Sequence, residues 1–262
     1  MIPSSLVDAL RLAHPSWHSI LTRGLEAVDA ADPSYLPGLE DSDYLPNGGR
    51  LFAAFRQPLD QVRYVLVGEG PYPRPESATG VCFMDGAVKE LWSEKGLSTR
   101  VNRATSLRNF IKMLLVCDGT LSPDQCTGEP LAAASQKARA AGNNYIQSLT
   151  ELQESLHEHG FLLLNATLVY RPEVPPMKDG RAWRPFFQAV LTALGERQEQ
   201  SPPTLVLWGK VAELVSALDG IGNFPRITAE HPYNISFIAN PAMHAFFRPL
   251  HLLQRRAASA PL

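Results

Sequence analysis

The 262-residue sequence has no apolar run approaching the roughly 18 residues of a membrane span, and no basic N-terminal segment followed by an apolar one. Neither a membrane helix nor a secretory leader is expected, which points to a cytoplasmic chain. Cysteine is scarce: Cys82, Cys117 and Cys126 form no C-x-x-C pair and are too few for a four-thiolate cluster, which fits a reducing compartment. His157-Glu158-His159 has no further ligands at useful spacing, so no metal and no cofactor are expected. No Gly-Lys-Ser/Thr closes a glycine loop and no Gly-x-Ser-x-Gly elbow is present, which argues against a P-loop nucleotide site and an α/β-hydrolase. An excess of one charge is missing too. With 24 Lys and Arg against 26 Asp and Glu, the net charge is −2, so a polyanion would have to meet a local basic surface.

Hydrophobic residues make up 45% of the chain, enough for a sizeable core at this length. Helical spacing recurs in Leu107, Phe110, Ile111, Leu114 and Leu115, in Trp183, Phe186, Phe187, Val190, Leu191 and Leu194, and in Val211, Leu214, Val215 and Leu218. These stripes are read as core. Apolar runs without helical punctuation predict strands at about 62–68, 161–167, 204–209 and 226–230. Strands alternating with helices imply an α/β fold, a three-layer α/β/α sandwich around a mainly parallel four-stranded sheet. The chain reads as one domain, 1–262, and as a monomer without internal repeats. Residues 117–142 look like an insertion holding a loop and then a helix, and 257–262 like a frayed tail. Residues 171–180 read as an irregular loop because Pro175-Pro176 opposes helix.

The most informative stretch is Val62-Arg-Tyr-Val-Leu-Val-Gly-Glu-Gly-Pro-Tyr72, a buried strand that runs into a tight turn at Gly68 and Gly70. In open α/β sheets ligands bind beyond the carboxyl ends of strands, so Glu69 and Tyr72 would project into a crevice. A plain strand-end turn would look the same in isolation. A second stretch runs from Lys95 to Lys112 with Arg100, Arg103 and Arg108 and no acidic residue. It is either a solvated basic face or a phosphate-binding one, and Thr105 and Ser106 at a helix start suit a backbone clamp.

In order along the chain, several stretches resemble motifs of uracil-DNA glycosylases. Gly68-Glu69-Gly70-Pro71-Tyr72-Pro73 resembles that family's Gly-Gln-Asp-Pro-Tyr-His. Gly80-Val81-Cys82-Phe83 resembles the segment bearing the ring that stacks on the extruded base. Phe161-Leu162-Leu163-Leu164-Asn165 is similar to the strand ending in the base-reading Asn, and Leu205-Val206-Leu207-Trp208-Gly209 to another strand. His231-Pro232-Tyr233-Asn234-Ile235-Ser236 resembles the His-Pro-Ser-Pro-Leu-Ser loop that enters the minor groove. Lesser matches lie at Ser16–Leu21, Leu51–Phe55 and Ser106–Phe110.

The resemblance implies a monofunctional DNA glycosylase whose partner is DNA, single- or double-stranded. The target nucleotide must leave the stack before its base can be reached. Phe83 would stack on the base, Tyr72 would bar bulk at the pyrimidine 5-position, and Asn165 would read the edge. The Asn amide complements uracil in one orientation and cytosine in the other. His231 would donate a hydrogen bond to the departing base. Ile235 would act as a wedge in the vacated stack, and Thr105, Ser106, Arg103, Arg108, Tyr233 and Ser236 would face DNA.

One departure matters. The family's first-motif Asp orients water and balances the sugar cation, and Gly70 stands in its place. Three readings stay open: Glu69 takes over, the bond breaks dissociatively with His231 and phosphates carrying the stabilisation, or the protein binds a base without cutting. A related branch with Gly-Glu-Ala-Pro-Gly also lacks the Asp. Gly70 could also reshape the pocket for a hypermodified cytosine of viral DNA, with a role in antiviral defence rather than repair.

Overall fold

In the computed structural model, which describes residues 2–197 and 201–255, the chain lays down three helices before its first strand: α1 (Ser4–Ala9), α2 (His18–Ala31) and α3 (Tyr35–Glu40). β1 (Tyr64–Gly68) follows, then β2 (Trp92–Ser93), β3 (Gly96–Leu97), α4 (Thr99–Arg103), α5 (Thr105–Cys117), α6 (Gly128–Arg139) and α7 (Leu149–Glu158). The last third alternates: β4 (Phe161–Asn165), α8 (Pro176–Gly195), β5 (Thr204–Trp208), α9 (Val211–Ser216), β6 (Arg226–Ala229) and α10 (Pro241–Phe247). The expected tail at 257–262 lies outside the described residues.

Four strands form one sheet in the order β4-β1-β5-β6, and β1 pairs in parallel with both β4 and β5. Val65, Leu66 and Val67 of the central strand β1 are buried, as a parallel strand covered on both faces requires, and every residue of the edge strand β4 is buried too. The fold is the α/β architecture that the sequence predicts, with the parallel sheet flanked by helices. The order also locates a crevice. From β1 the chain goes to β4 on one side, then crosses to β5 on the other, so the loop after β1 leaves the sheet at a topological switch point. Register brings Gly68 level with Asn165, and Val67 level with both Leu164 and Leu207.

The described backbone divides into two compact units, one of Met1–Gly86 with Gly160–Ile227, the other of Ala87–His159 with Thr228–Leu262. In the first, Val65, Val67, Leu162, Leu164, Leu205 and Leu207 join a cluster with Leu21 and Leu25 of α2 and Trp183, Phe186 and Phe187 of α8. Edge-to-face ring pairs tie this core, among them Trp17 with Phe55 at 5.0 Å and Trp183 with Phe186 at 5.3 Å. In the second, the stripe Leu107, Phe110, Ile111, Leu114 and Leu115 is buried, and so is every other residue of α5 from Asn109 to Cys117. A capping box at Ser148 and Glu151 starts α7.

Three expectations need correction. The loop read at 171–180 ends early, because α8 begins at Pro176: proline at the first helical position loses no needed N–H and its fixed φ suits the helix. Leu214, assigned to the core by spacing, is 39% exposed, while Val211, Val215 and Leu218 of the same stripe are buried. The small antiparallel pair β2–β3 was not anticipated; two residues per strand are too few to leave an alternation pattern.

Candidate active site

The first unit gathers the residues expected to hold a base. Gly68 ends β1 beside Asn165, the last residue of β4, and a Cβ on Gly68 would stand 2.6 Å from Asn165 Oδ1 and 3.0 Å from Cys82 Sγ. Only glycine leaves the amide its space. Asn165 is 4% exposed, yet its side chain has no hydrogen-bond partner among the described residues. Its amide atoms are not fully buried, so they keep some access to solvent and are open to a group that is not part of the chain.

The segment 80–85 docks on β4 through the Cys82 N–H, which donates to the Leu163 carbonyl at 3.1 Å. Gly80 has φ +80, and a Cβ there would stand 2.1 Å from the Arg50 carbonyl oxygen, so the tight entry to the segment needs glycine. The Thr79 hydroxyl donates to the Met84 carbonyl at 2.9 Å and accepts from the Val81 N–H at 3.2 Å. Within this frame Phe83 is held at φ 67, a left-handed conformation costing about 1–3 kcal/mol for a bulky residue. Its ring meets Trp208 edge-to-face at 5.3 Å, and its carbonyl accepts from the Tyr72 hydroxyl at 3.5 Å. Burial, then the nearby Asp85 and Cys82, push the Tyr72 phenol well above its ordinary range, so it stays a neutral donor. Asp85 itself pairs with Arg74 at 3.4 Å.

Glu69 and Gly70 face elsewhere. A cavity of about 450 Å³ opens beyond the ends of β1, β4 and β5, and both residues line it with Thr167 and Lys210. A Cβ on Gly70 would lie 3.6 Å from the Thr167 Cβ and carbonyl oxygen, an ordinary contact, so a side chain there would enter open space. Glu69 is exposed, its carbonyl accepting from the Thr167 N–H at 3.1 Å. Asn165 and Phe83 are not among the cavity's lining residues, although Gly68, next to Glu69, lies directly against Asn165.

The second unit holds the His231 loop. The Nδ1 of His231 accepts from the Tyr233 N–H at 3.1 Å, which leaves the proton of a neutral ring on Nε2. Asn234 returns two bonds to the His231 carbonyl, from its N–H at 2.9 Å and its Nδ2 at 3.2 Å. Behind the loop, Asn109 of α5 donates to the Pro232 carbonyl at 2.7 Å and points the same amine at the Tyr233 and Asn234 carbonyls, both at 3.4 Å. On the other side Glu230 accepts from Asn240 at 2.7 Å, and Asn240 caps α10. Burial raises the Glu230 carboxyl, but hydrogen bonds from Ser236, its own backbone and Asn240 outweigh it and hold the group below its ordinary range. Ser236 is thus turned toward Glu230. Tyr233 and Ile235 are 69% and 79% exposed, an apolar pair at the apex of a braced loop.

The basic stretch is only partly as expected. Lys95, Arg100 and Arg103 are exposed, whereas Lys112 is buried at 7% exposure, and burial pulls its amine below the ordinary range. Every residue of α5 from Asn109 to Cys117 is buried, Lys112 among them, so it is no part of a DNA-facing surface. Arg108 is half-buried and donates to the Asn102 carbonyl at 3.0 Å. Helix α5 starts at Thr105, one residue before the expected Ser106, and Ala104 offers no side-chain cap, leaving the first-turn N–H groups without that partner.

Sequence reasoning gave no role to Asn109 or Trp208. A polar Asn within the apolar run Leu107 to Leu115 was the available signal for the first; nothing in the sequence marks Trp208 as the partner of Phe83.

No protein-family model matches the chain. It is 30% identical over 209 residues to the uracil-DNA glycosylase of Thermobifida fusca, covering 79% of this chain and 72% of that protein. To the uracil-DNA glycosylase of Corynebacterium glutamicum it is 28% identical over 240 residues, 88% of this chain and 83% of the relative. The crystal structure of UNG from Nitratifractor salsuginis superposes with a TM-score of 0.85 at 38% identity, over 95% of this chain and 96% of that one. Mimivirus uracil-DNA glycosylase shares the fold, with a TM-score of 0.54 at 17% identity over 88% and 73% of the two chains.

Proposed function

The chain belongs to the uracil-DNA glycosylase superfamily and is a DNA N-glycosylase, a hydrolase of the bond between base and sugar, and from that premise we propose that it excises uracil from DNA as a monofunctional enzyme. The observation that carries this reading is the unpartnered amide of the buried Asn165. Uracil offers O4 and N3–H along one edge, which an amide meets with its donor and acceptor together. The target nucleotide is flipped out of the strand at a cost of a few kcal/mol, Phe83 stacks on its base, and Tyr72 stands against bulk at the 5-position. Exposed Ile235 fills the vacated step, and Tyr233, Arg103 and the first turn of α5 at Thr105 and Ser106 meet the backbone.

Cleavage breaks the bond between C1′ and N1, the electron pair leaving with the base. Charge gathers on the base oxygen as the sugar turns cationic. His231, its Nδ1 already accepting from Tyr233, donates from Nε2 to that oxygen, a bond that strengthens as the charge develops. Glu69 supplies the carboxylate that Gly70 lacks: it lines the same cavity that a side chain at Gly70 would enter. There it orients a water toward C1′ and balances the cation, and the water's proton passes to solvent or to the released base. We assign it a monomeric state and a cytoplasmic setting; its three cysteines, free and buried, fit a reducing compartment.

A second reading has one observation in its favour. The room at Gly70 would admit a larger base, such as a hypermodified cytosine of viral DNA excised in defence. The neutral Tyr72 beside Phe83 favours the smaller base.

The test is alkaline cleavage of end-labelled oligonucleotides carrying uracil, thymine, cytosine or substituted cytosines, in single and double strands. Breaks at uracil that appear only after alkali, with none at thymine, support the proposal. Intact uracil strands beside cleaved substituted cytosines would transfer the function to the second reading.

A further inference from the structure

The cavity beyond β1, β4 and β5 is larger than a water and a carboxylate need. Glu69, Gly70 and Lys210 line it together with the apolar side chains of Val174, Met177 and Leu214. Two of these residues are badly placed for ordinary packing: Met177 is 70% exposed and Leu214 39%. They are among the few large hydrophobic residues of the described chain left in water, and they meet at one place. Arg171 also lines the cavity but donates twice to Asp179, which accepts from the Tyr35 hydroxyl as well, so that wall is neutral and satisfied. Lys210 is exposed and has no acidic partner among the described residues.

A mainly apolar slot whose lining carries one lysine without an acidic partner, apart from the Glu69 carboxylate used in excision, suits a flat, apolar-faced group carried on a phosphate. Its volume of about 450 Å³ is within the range of small-ligand sites and admits one nucleotide. We propose that this cavity is a second nucleotide subsite, taking the base adjacent to the excised one in single-stranded DNA, with the base against Met177 and Leu214 and its phosphate on Lys210. This deepens the glycosylase reading and rests on it. A neighbour stacked and paired in a duplex is not free to enter, so the subsite adds affinity only for single strands and frayed ends. Gly70 serves both readings, since a side chain there would narrow the entrance.

Equilibrium binding tests this without turnover. Single-stranded pentanucleotides carry a central 2′-fluoro-deoxyuridine, which resists hydrolysis, and a tetrahydrofuran residue replaces the base on its 5′ or 3′ side. Loss of the base on one side should weaken binding about tenfold, the effect of burying one face of a base on aliphatic side chains, and loss on the other side less than about twofold. The asymmetry should vanish in the double variant Met177→Ser, Leu214→Ser, whose melting temperature should hold because both positions are exposed, and Lys210→Gln should flatten the salt dependence by about one neutralised phosphate. Equal binding of both probes by the unaltered protein, or asymmetry that survives the double variant, overturns the proposal. Uracil excision from a longer strand is scored separately: excision with symmetric binding removes the subsite alone, whereas asymmetric binding without excision removes the glycosylase reading and leaves a DNA-binding slot.

Discussion

Asn165 and His231 are held in opposite ways. The amide is buried at 4% exposure in a rigid frame of Gly68, Cys82 and the strained Phe83 segment, and makes no hydrogen bond of its own; the imidazole is exposed, and a neighbouring N–H fixes its tautomer. Each arrangement suits its task. Telling one pyrimidine from another requires a polar group whose alternative to the right ligand is an unpaired, dry state, because that penalty is what rejects the wrong base. Donating to an anion that exists only during the reaction requires a proton on the correct nitrogen, which one backbone bond secures.

Variants can break this contrast. The largest effect is expected from Asn165→Ala, a loss of about 10³–10⁴ in kcat/KM on uracil, with a melting temperature unchanged or raised since no bond within the protein is removed. A marked drop in stability with full activity would show that the amide is structural. His231→Ala should cost about 10²–10³ in the single-turnover rate while DNA affinity stays within a few-fold; weakened binding at an unchanged rate would move His231 out of the chemistry. Asn109→Ala removes the brace behind the His231 loop and should slow excision about tenfold, with a stability loss of about 1–3 kcal/mol for the carbonyl left unsatisfied. Thermal melting and excision assays check it together. Smallest is the joint change Lys95→Gln, Arg100→Gln, Arg103→Gln, which should weaken DNA binding a few-fold and lower the salt slope by about 0.9 for each phosphate no longer neutralised. An unchanged slope puts these exposed cations away from DNA.

The parallel sheet and the ends of β1 and β4 were legible because buried strands and turn glycines leave strong local marks, whereas only the family resemblance singles out Phe83 and Asn165. Less was visible where three-dimensional context decides. Pro175-Pro176 looked like a helix barrier and is a helix start. Lys112 looked like part of a basic face, but α5 is buried on every side from Asn109 to Cys117 and takes Lys112 with it. Leu214 had core spacing but is exposed, although Val211, Val215 and Leu218 of the same stripe are buried. The positive φ of Phe83 and the several bonds of Asn109 depend on partners far along the chain, which no window of sequence contains.

The central claim is that a carboxylate from Glu69 does the work for which the family uses an Asp at the position of Gly70. The most direct measurement is the single-turnover rate of uracil release by the unaltered protein, Glu69→Gln, Gly70→Asp and the double variant. Glu69→Gln preserves size and hydrogen bonding and removes charge, so the account predicts a loss of about 10²-fold or more at an unchanged melting temperature, with the rate partly restored in the double variant. The open contact at Gly70, 3.6 Å to Thr167, leaves room for that Asp. A Glu69→Gln protein that releases uracil at the full rate would contradict the claim and leave the dissociative route, driven by His231 and the DNA phosphates.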